Sequence, residues 1–179
     1  MAFFMRSGNT YRVADNANVD IHNTLPVGNY IVKQDMFGNF LLEQIDNFVA
    51  PPKLYGNTLR YADRILRTFA DRPASTGVML NGEKGSGKTL LGKTISIEAA
   101  KQGIPTIVIN NPWCGDAFNA LMQDIDQPCI VLFDEFEKVY DSEQQEQILT
   151  LLDGVFPSKK LFVITCNDKY RVDQHMRNR

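Results

Sequence analysis

Gly82-Glu83-Lys84-Gly85-Ser86-Gly87-Lys88-Thr89 is the stretch that decides the fold of this chain of 179 residues. It fills every required position of the pattern G-x-x-x-x-G-K-[ST], in which the backbone turns around the phosphates of a nucleoside triphosphate. The glycines let successive N–H groups point inward, and the positive end of the following helix adds to their field. The octapeptide therefore predicts a phosphate-binding loop between a strand and a helix.

The side chains of this loop have separate predicted roles. Lys88 is expected to reach the β- and γ-phosphates, and the Thr89 hydroxyl to be one ligand of the Mg²⁺ that bridges them. The remaining predicted nucleotide contacts come from the loop itself and the first turn of the helix: Gly82, Glu83, Lys84, Gly85, Ser86, Gly87 and Leu90.

Strands and helices are predicted to alternate on both sides of the loop. Apolar runs predict strands at 77–81, 105–110, 129–133 and 161–166. Helical periodicity and stop signals predict helices near 59–69, 88–102, 115–125 and 142–154. This alternation indicates an α/β fold, a P-loop parallel sheet flanked by helices, whose ligands bind beyond the carboxyl ends of the strands.

The first 50 residues have a different pattern. Short runs separated by turn residues predict strands at 10–13, 29–34 and 40–45, with a hairpin turn at 35–39. Pro51-Pro52 follows, so we predict a β-rich segment of unknown role at 1–50 and a nucleotide-binding core at 51–179. The segment carries three basic and five acidic side chains, which argues against a nucleic-acid-binding head.

Composition limits the setting of the protein. The net charge is −2 and 44% of the residues are hydrophobic. No apolar run approaches the roughly 20 residues that span a bilayer, so we predict no membrane partner and a cytoplasmic location. The three cysteines are too few and too scattered to predict a metal cage or a disulfide framework.

Two carboxylates and an amide follow predicted strands. Asp134 and Glu135 come directly after the apolar run 130–133. This position suits an Asp134 that holds Mg²⁺ through its water shell and a Glu135 that polarises the water attacking the γ-phosphate. A strand end running into an acidic turn is the alternative. Asn167 follows the strand 161–166 and can orient the same water, although an Asn there is also a common turn residue.

From about Leu54 to its end the chain resembles the large α/β subdomain of an AAA+ ATPase of the protein-remodelling branch. Four ordered stretches carry the resemblance: 71–91, 128–136, 149–154 and 163–167. It implies ATP binding and hydrolysis, the polar residue Asn167 as a γ-phosphate sensor, and a base pocket at Tyr55 and Gly56. An ordinary linker turn is the alternative for the last two.

The resemblance also implies assembly. In the family an arginine of one subunit reaches the γ-phosphate of its neighbour, and Arg179, with Arg177 second, fits that position. We therefore expect a homo-oligomer, a hexameric ring, that acts on a protein partner. Trp113 lies where many members carry a pore loop, and burial is its alternative. The sequence ends before the family's helical lid, so a fragment of a longer protein is expected.

Two other functions stay open from the sequence. A nucleic-acid machine, of the helicase or initiator-loader type, would need a basic inserted hairpin or DNA-binding domain, and the sequence offers none. A scaffold that binds ATP with little turnover is the other, and Glu135 argues against it.

Overall fold

The computed structural model describes residues 2–15, 19–54 and 56–178. Two predicted site residues, Tyr55 and Arg179, lie outside the described residues. In this part of the chain eight strands form two sheets: β1 Phe3–Ser7, β2 Thr10–Ala14, β3 Asn29–Gln34, β4 Phe40–Ile45, β5 Thr76–Asn81, β6 Thr106–Ile109, β7 Cys129–Phe133 and β8 Lys160–Cys166.

The larger sheet has six strands in the order β4-β3-β6-β7-β8-β5. All neighbours are parallel except β3 and β4, which form an antiparallel hairpin at one edge. The smaller sheet is the antiparallel pair β1-β2. The predicted α/β fold with a β-rich N-terminal part is confirmed, with one antiparallel strand added to the parallel sheet.

Six helices connect or follow these strands within the described residues, and a short 3-10 turn occupies Lys169–Arg171. The helices are α1 Thr58–Asp71, α2 Lys88–Ala100, α3 Asp116–Asp124, α4 Phe136–Val139, α5 Ser142–Leu152 and α6 Gln174–Arg177. The longer helices lie within two residues of their predicted positions, whereas α4 and α6 were not predicted. None of the helices in the described ranges is long and apolar enough to cross a membrane.

The helices form one layer on each face of the sheet. Ala62 of α1 and Ile95 of α2 pack in one apolar cluster with Ile130 of β7. Val131, the next residue of β7, packs in the other cluster with helices α3 to α6. Since successive side chains of a strand point to opposite faces, α1 and α2 cover one face and α3 to α6 cover the other.

The hairpin β3-β4 precedes residue 50 but belongs to the larger sheet. Asn29, Tyr30 and Ile31 pair in parallel register with residues 106–108 of β6. Val32 is fully buried in the core cluster. The larger sheet therefore contains strands from both sides of residue 50. The sequence pattern changes there but the sheet does not end, because tertiary pairing decides which strands are neighbours.

Candidate active site

The phosphate-binding loop joins β5 to α2 and is closed around its own lysine. Lys88 Nζ donates to the carbonyl oxygens of Gly82, at 2.6 Å, and Glu83, at 2.7 Å. It also lies 3.3 Å from Ser86 Oγ. Lys88 thus already sits among oxygen atoms in the centre of the loop, and a phosphate would replace these oxygens as its acceptors.

Glycines give the loop its shape. Gly85 and Gly87 have φ angles of 84° and 90°, in the left-handed region that favours glycine. At Gly82 a Cβ would lie 2.8 Å from Ser86 Oγ, so a larger residue there would make the Ser86 side chain move. Gly87 directly precedes α2, so the loop leads straight into this helix. The free N–H groups at the N-terminus of α2 therefore lie next to the phosphate-binding loop.

Asp134, at the end of β7, meets two hydroxyl groups. Thr89 Oγ1, in the first turn of α2, lies 3.2 Å from Asp134 Oδ1. Thr165 Oγ1, on β8, donates to the same carboxylate oxygen at 2.5 Å. A hydroxyl and a carboxylate are hard oxygen ligands of the kind that Mg²⁺ takes, and Mg²⁺ needs only one or two protein side chains beside phosphate and water. Thr89 and Asp134 are thus suited to hold this ion together.

Thr165 is a site residue that the sequence reasoning missed. Besides its bond to Asp134, its hydroxyl accepts the backbone N–H of Glu135 at 2.9 Å. The side chain is 1% exposed. One buried hydroxyl therefore fixes the two consecutive acids, and the signal for it was the lone polar residue within the apolar run 161–166.

Glu135 has an unusual backbone conformation. Its φ is 50°, the one positive value of a non-glycine residue in the described chain, and it immediately precedes α4. A left-handed conformation at such a residue costs on the order of 1–3 kcal/mol and is found at functional sites. The turn points the Glu135 carboxylate back towards β8 and the loop.

The Glu135 carboxylate has two partners. Lys138 Nζ, three residues on, donates to Oε1 at 2.6 Å, and Asn167 Nδ2 approaches the same oxygen at 3.4 Å. The hydrogen bond from Lys138, followed by that from Asn167, lowers the pKa of Glu135 below its ordinary value. Lys138 was not predicted, because it acts through a short helix that the sequence pattern did not reveal.

Asn167 is fixed through its backbone by a buried carboxylate. Its N–H donates to Glu137 Oε1 at 2.7 Å, and the N–H of Asp168 approaches the same oxygen at 3.2 Å. Glu137 is 7% exposed. The Asn167 amide is therefore held beside Glu135.

Two adjoining cavities surround the loop. A cavity of about 310 Å³ is lined by Thr89, Leu90, Glu135 and Asn167 on the strand-end side. A second, of about 670 Å³, is lined by Gly56, Tyr61 and Leu91. Gly87 and Lys88 line both, so a nucleotide can extend around the loop with its phosphates in the first cavity and its base in the second.

Arg177 and Trp113 lie outside these cavities. Arg177 is exposed at the end of α6, with its guanidinium 5.6 Å from the centre of the Tyr170 ring. Trp113 is half-buried, packs edge-on against Phe40 and donates its indole N–H to Val32 O at 3.2 Å. The structure thus favours the packed alternative for Trp113, since a pore residue needs its ring free.

The fold and the loop define a P-loop nucleotide-binding domain, and the comparison with protein families identifies it further. The model of the ATPase family associated with various cellular activities (AAA) matches residues 78–179, more than half of the chain. The chain belongs to the AAA family. That family is one of ATPases.

Similar proteins come from distant organisms. The chain is 26% identical over 149 residues to the putative ribosome biogenesis ATPase nvl of Dictyostelium discoideum, covering 71% of this chain and 16% of that protein. It is 27% identical over 135 residues to the peroxisomal ATPase PEX1 of Cricetulus griseus, covering 63% and 10%. It is 26% identical over 132 residues to Protein SAV of Sulfolobus acidocaldarius, covering 62% and 16%. The chain thus spans less than a fifth of these relatives.

Proposed function

We propose that this chain hydrolyses ATP with Mg²⁺, using the loop to bind the phosphates and the ends of β7 and β8 to activate water. The carrying observation is the hydrogen-bond network of Thr165, which links Asp134 to the backbone of Glu135 next to Thr89. In this proposal Lys88 and the loop from Gly82 to Leu90 hold the triphosphate, while Gly56 and Tyr55 flank the base.

Thr89 and Asp134 hold the magnesium ion in this proposal. The ion would neutralise phosphate charge and orient the triphosphate. The two oxygens lie 3.2 Å apart, so both side chains would be near enough to hold one ion.

Glu135 is the proposed general base, and Asn167 positions the water. Both side chains line the cavity that contains Thr89. Lys138 holds Oε1 of the Glu135 carboxylate at 2.6 Å, so the other oxygen, Oε2, is the one that would accept the proton from water. Its lowered pKa keeps it ionised, which is the form that accepts a proton.

We further propose that copies of the chain assemble head to tail into a ring, a hexamer, that remodels a protein partner. Arg179, or Arg177 in second place, would reach the phosphates bound by the neighbouring copy. The exposure of Arg177 outside its own nucleotide cavities supports a role in trans. PEX1 and nvl, named as ATPases of peroxisomes and of ribosome biogenesis, support a cellular remodelling role.

We also propose residues 51–179 as the ATP-binding core, with residues 29–45 as its structural extension. The parallel pairing of β3 with β6 and the bond from Trp113 to Val32 support this extension. The ribbon β1-β2 remains without an assigned role.

Phosphate release tests the hydrolytic part of the proposal. Three samples are compared: the native chain with ATP and Mg²⁺, the native chain with ATP and a chelator, and the Asp134→Asn variant with ATP and Mg²⁺. Hydrolysis is expected only in the first condition, and equal rates with the chelator would overturn the proposed role of Mg²⁺.

Two measurements test the assembly. Mass photometry with and without ATP and Mg²⁺ should show particles of six copies when nucleotide is present. Mixtures of Arg179→Ala and Glu135→Gln subunits should recover activity that neither has alone, because some interfaces then pair an intact arginine with an intact base. Assembly without any recovery would contradict a role of Arg179 in trans.

A further inference from the structure

A third cavity lies on the face of the sheet covered by α3 to α6. It measures about 550 Å³ and is bordered by α4, α5, the 3-10 turn and α6. Its charged lining residues are four acids and two arginines: Glu137, Asp141, Glu146, Asp173, Arg171 and Arg177. The cavity is acidic on balance and does not overlap the two nucleotide cavities.

One carboxylate oxygen of this lining lacks a partner. Glu137 is more than nine-tenths buried, and while its Oε1 accepts two backbone N–H groups, Oε2 is buried with no hydrogen-bond partner among the described residues. A buried carboxylate oxygen without a donor is costly, so a cationic group placed against the cavity wall beside Glu137 would offset part of that cost.

The opposite face of the molecule carries the complementary charge. Arg60, Arg64 and Arg67 share one exposed side of α1, at the spacing i, i+4 and i+7. Arg67 pairs with Asp63 at 2.8 Å. Arg60 and Arg64 take part in none of the ion pairs found in the described residues, so both guanidinium groups are available to a partner.

We propose that the acidic cavity at Glu137 receives the guanidinium of Arg60 or Arg64 from a second copy of this chain. The occupant follows from charge complementarity. The arginines and the cavity lie in the two helix layers on opposite faces of one sheet, so a contact between them repeats in one direction, copy after copy. The inference rests on the head-to-tail assembly proposed above and names the residues that hold it together.

The positions of both surfaces agree with a shared nucleotide site. Arg64 also lines the base-side cavity, and Arg177 lines the acidic cavity. Suppose that α1 of the first copy contacts the acidic cavity of the second copy. Arg177 of the second copy then lies close to the nucleotide cavities of the first copy. A guanidinium suits this cavity better than an ammonium, because its five N–H donors can be shared among several acids of the lining.

Charge reversal tests the contact. Arg60→Glu combined with Arg64→Glu reverses one surface, and Glu146→Lys reverses the rim of the other. Each variant should weaken assembly with ATP and Mg²⁺, measured by sedimentation velocity, on the order of tenfold. A chain that carries all three substitutions should regain most of the loss, because both sides of every interface are then reversed. Asp124→Lys, the same charge change on α3 outside the cavity, is the control.

Glu137→Gln tests the buried oxygen. The amide keeps an acceptor for the N–H groups of Asn167 and Asp168 but removes the negative charge, so the unfolding temperature of the separate copies should not fall while assembly weakens about tenfold. If the native chain assembles and the reversals and Glu137→Gln leave assembly unchanged, this contact is wrong and the ring proposal stands. If the native chain never assembles, the head-to-tail proposal itself fails, and this contact with it.

Discussion

The two halves of the nucleotide site are held together over different distances along the chain. In the loop half, Lys88 reaches carbonyl groups five and six residues before it. In the strand-end half, Asp134 binds hydroxyl groups that lie 31 and 45 residues away, on β8 and α2. The loop half is therefore set by local sequence, whereas the strand-end half depends on the pairing of β7 with β8 and the docking of α2.

This difference separates binding from turnover. The loop contacts phosphates that are present before and after reaction, so its residues are expected to control affinity. The strand ends hold the proposed base and the water, so they are expected to control rate. Substitutions in each half therefore test whether binding and turnover depend on different residues.

Lys88→Ala should have the largest effect on binding. It removes the charged donor at the centre of the loop, and charge-assisted bonds of this kind correspond to an affinity loss of about 100-fold. Isothermal titration calorimetry with ATP and Mg²⁺ measures it. Lys84→Ala in the same loop is the control for charge alone, and an equal loss in both variants would contradict a specific contact by Lys88.

Glu135→Gln should have the largest effect on turnover with little effect on binding. The amide cannot accept a proton, so kcat should fall by about 10²- to 10⁴-fold, as for loss of a general base. ATP affinity should stay within a few-fold of the native value. Single-turnover phosphate release compares the rate of the chemical step in the native chain and in Glu135→Gln. An unchanged rate would contradict the proposed role of Glu135 as general base.

The same contrast explains what the sequence could predict. The octapeptide 82–89 is contiguous, so its pattern alone identified the loop, and apolar runs located the strands of the core within one residue. Thr165 escaped notice because its role arises from register: β8 places Ile164 beside Phe133, at the point where β7 ends before Asp134. A single threonine in a strand carries no sign of which neighbour it meets.

Other features were missed for the same physical reason. Helix α4 is four residues long, too short for periodicity to indicate it. The hairpin β3-β4 was predicted within a residue, but its place beside β6 depends on burial of Val32 and on the contact of Phe40 with Trp113. Local pattern gives an element, and tertiary contacts give its neighbours.

Thr165→Val tests whether one buried hydroxyl holds the two acids of the strand-end half in place. The substitution keeps the volume but removes the donor to Asp134 and the acceptor for the N–H of Glu135. Leaving these groups unsatisfied costs about 1–3 kcal/mol, which corresponds to a fall in kcat of about 10- to 100-fold. The concentration of Mg²⁺ at half-maximal rate should rise, since Asp134 loses its orientation.

Thr165→Ser keeps the hydroxyl and serves as the control for Thr165→Val. Steady-state rates across a magnesium titration, with circular dichroism to check folding, separate the two variants. If the serine variant loses as much activity as the valine variant, packing of the methyl group and not the hydrogen bonds is responsible.

Lys138→Met should have the smallest effect, and it tests how the base is held. Lys138 lowers the pKa of Glu135, so removing its ammonium moves that pKa up towards the ordinary value. A base with a higher pKa is protonated at higher pH, and the acid limb of the kcat/KM profile should therefore shift to higher pH. Near neutral pH the Glu135 carboxylate is ionised in both the native chain and the Lys138→Met variant. The rate there should therefore change by less than about threefold, as for an exposed ion pair.

Lys138→Arg is the control, because it keeps the charge and should leave the acid limb of the profile in place. A shift to lower pH in the methionine variant would mean that Glu135 is not the group that titrates, and the strand-end half would then need a different base.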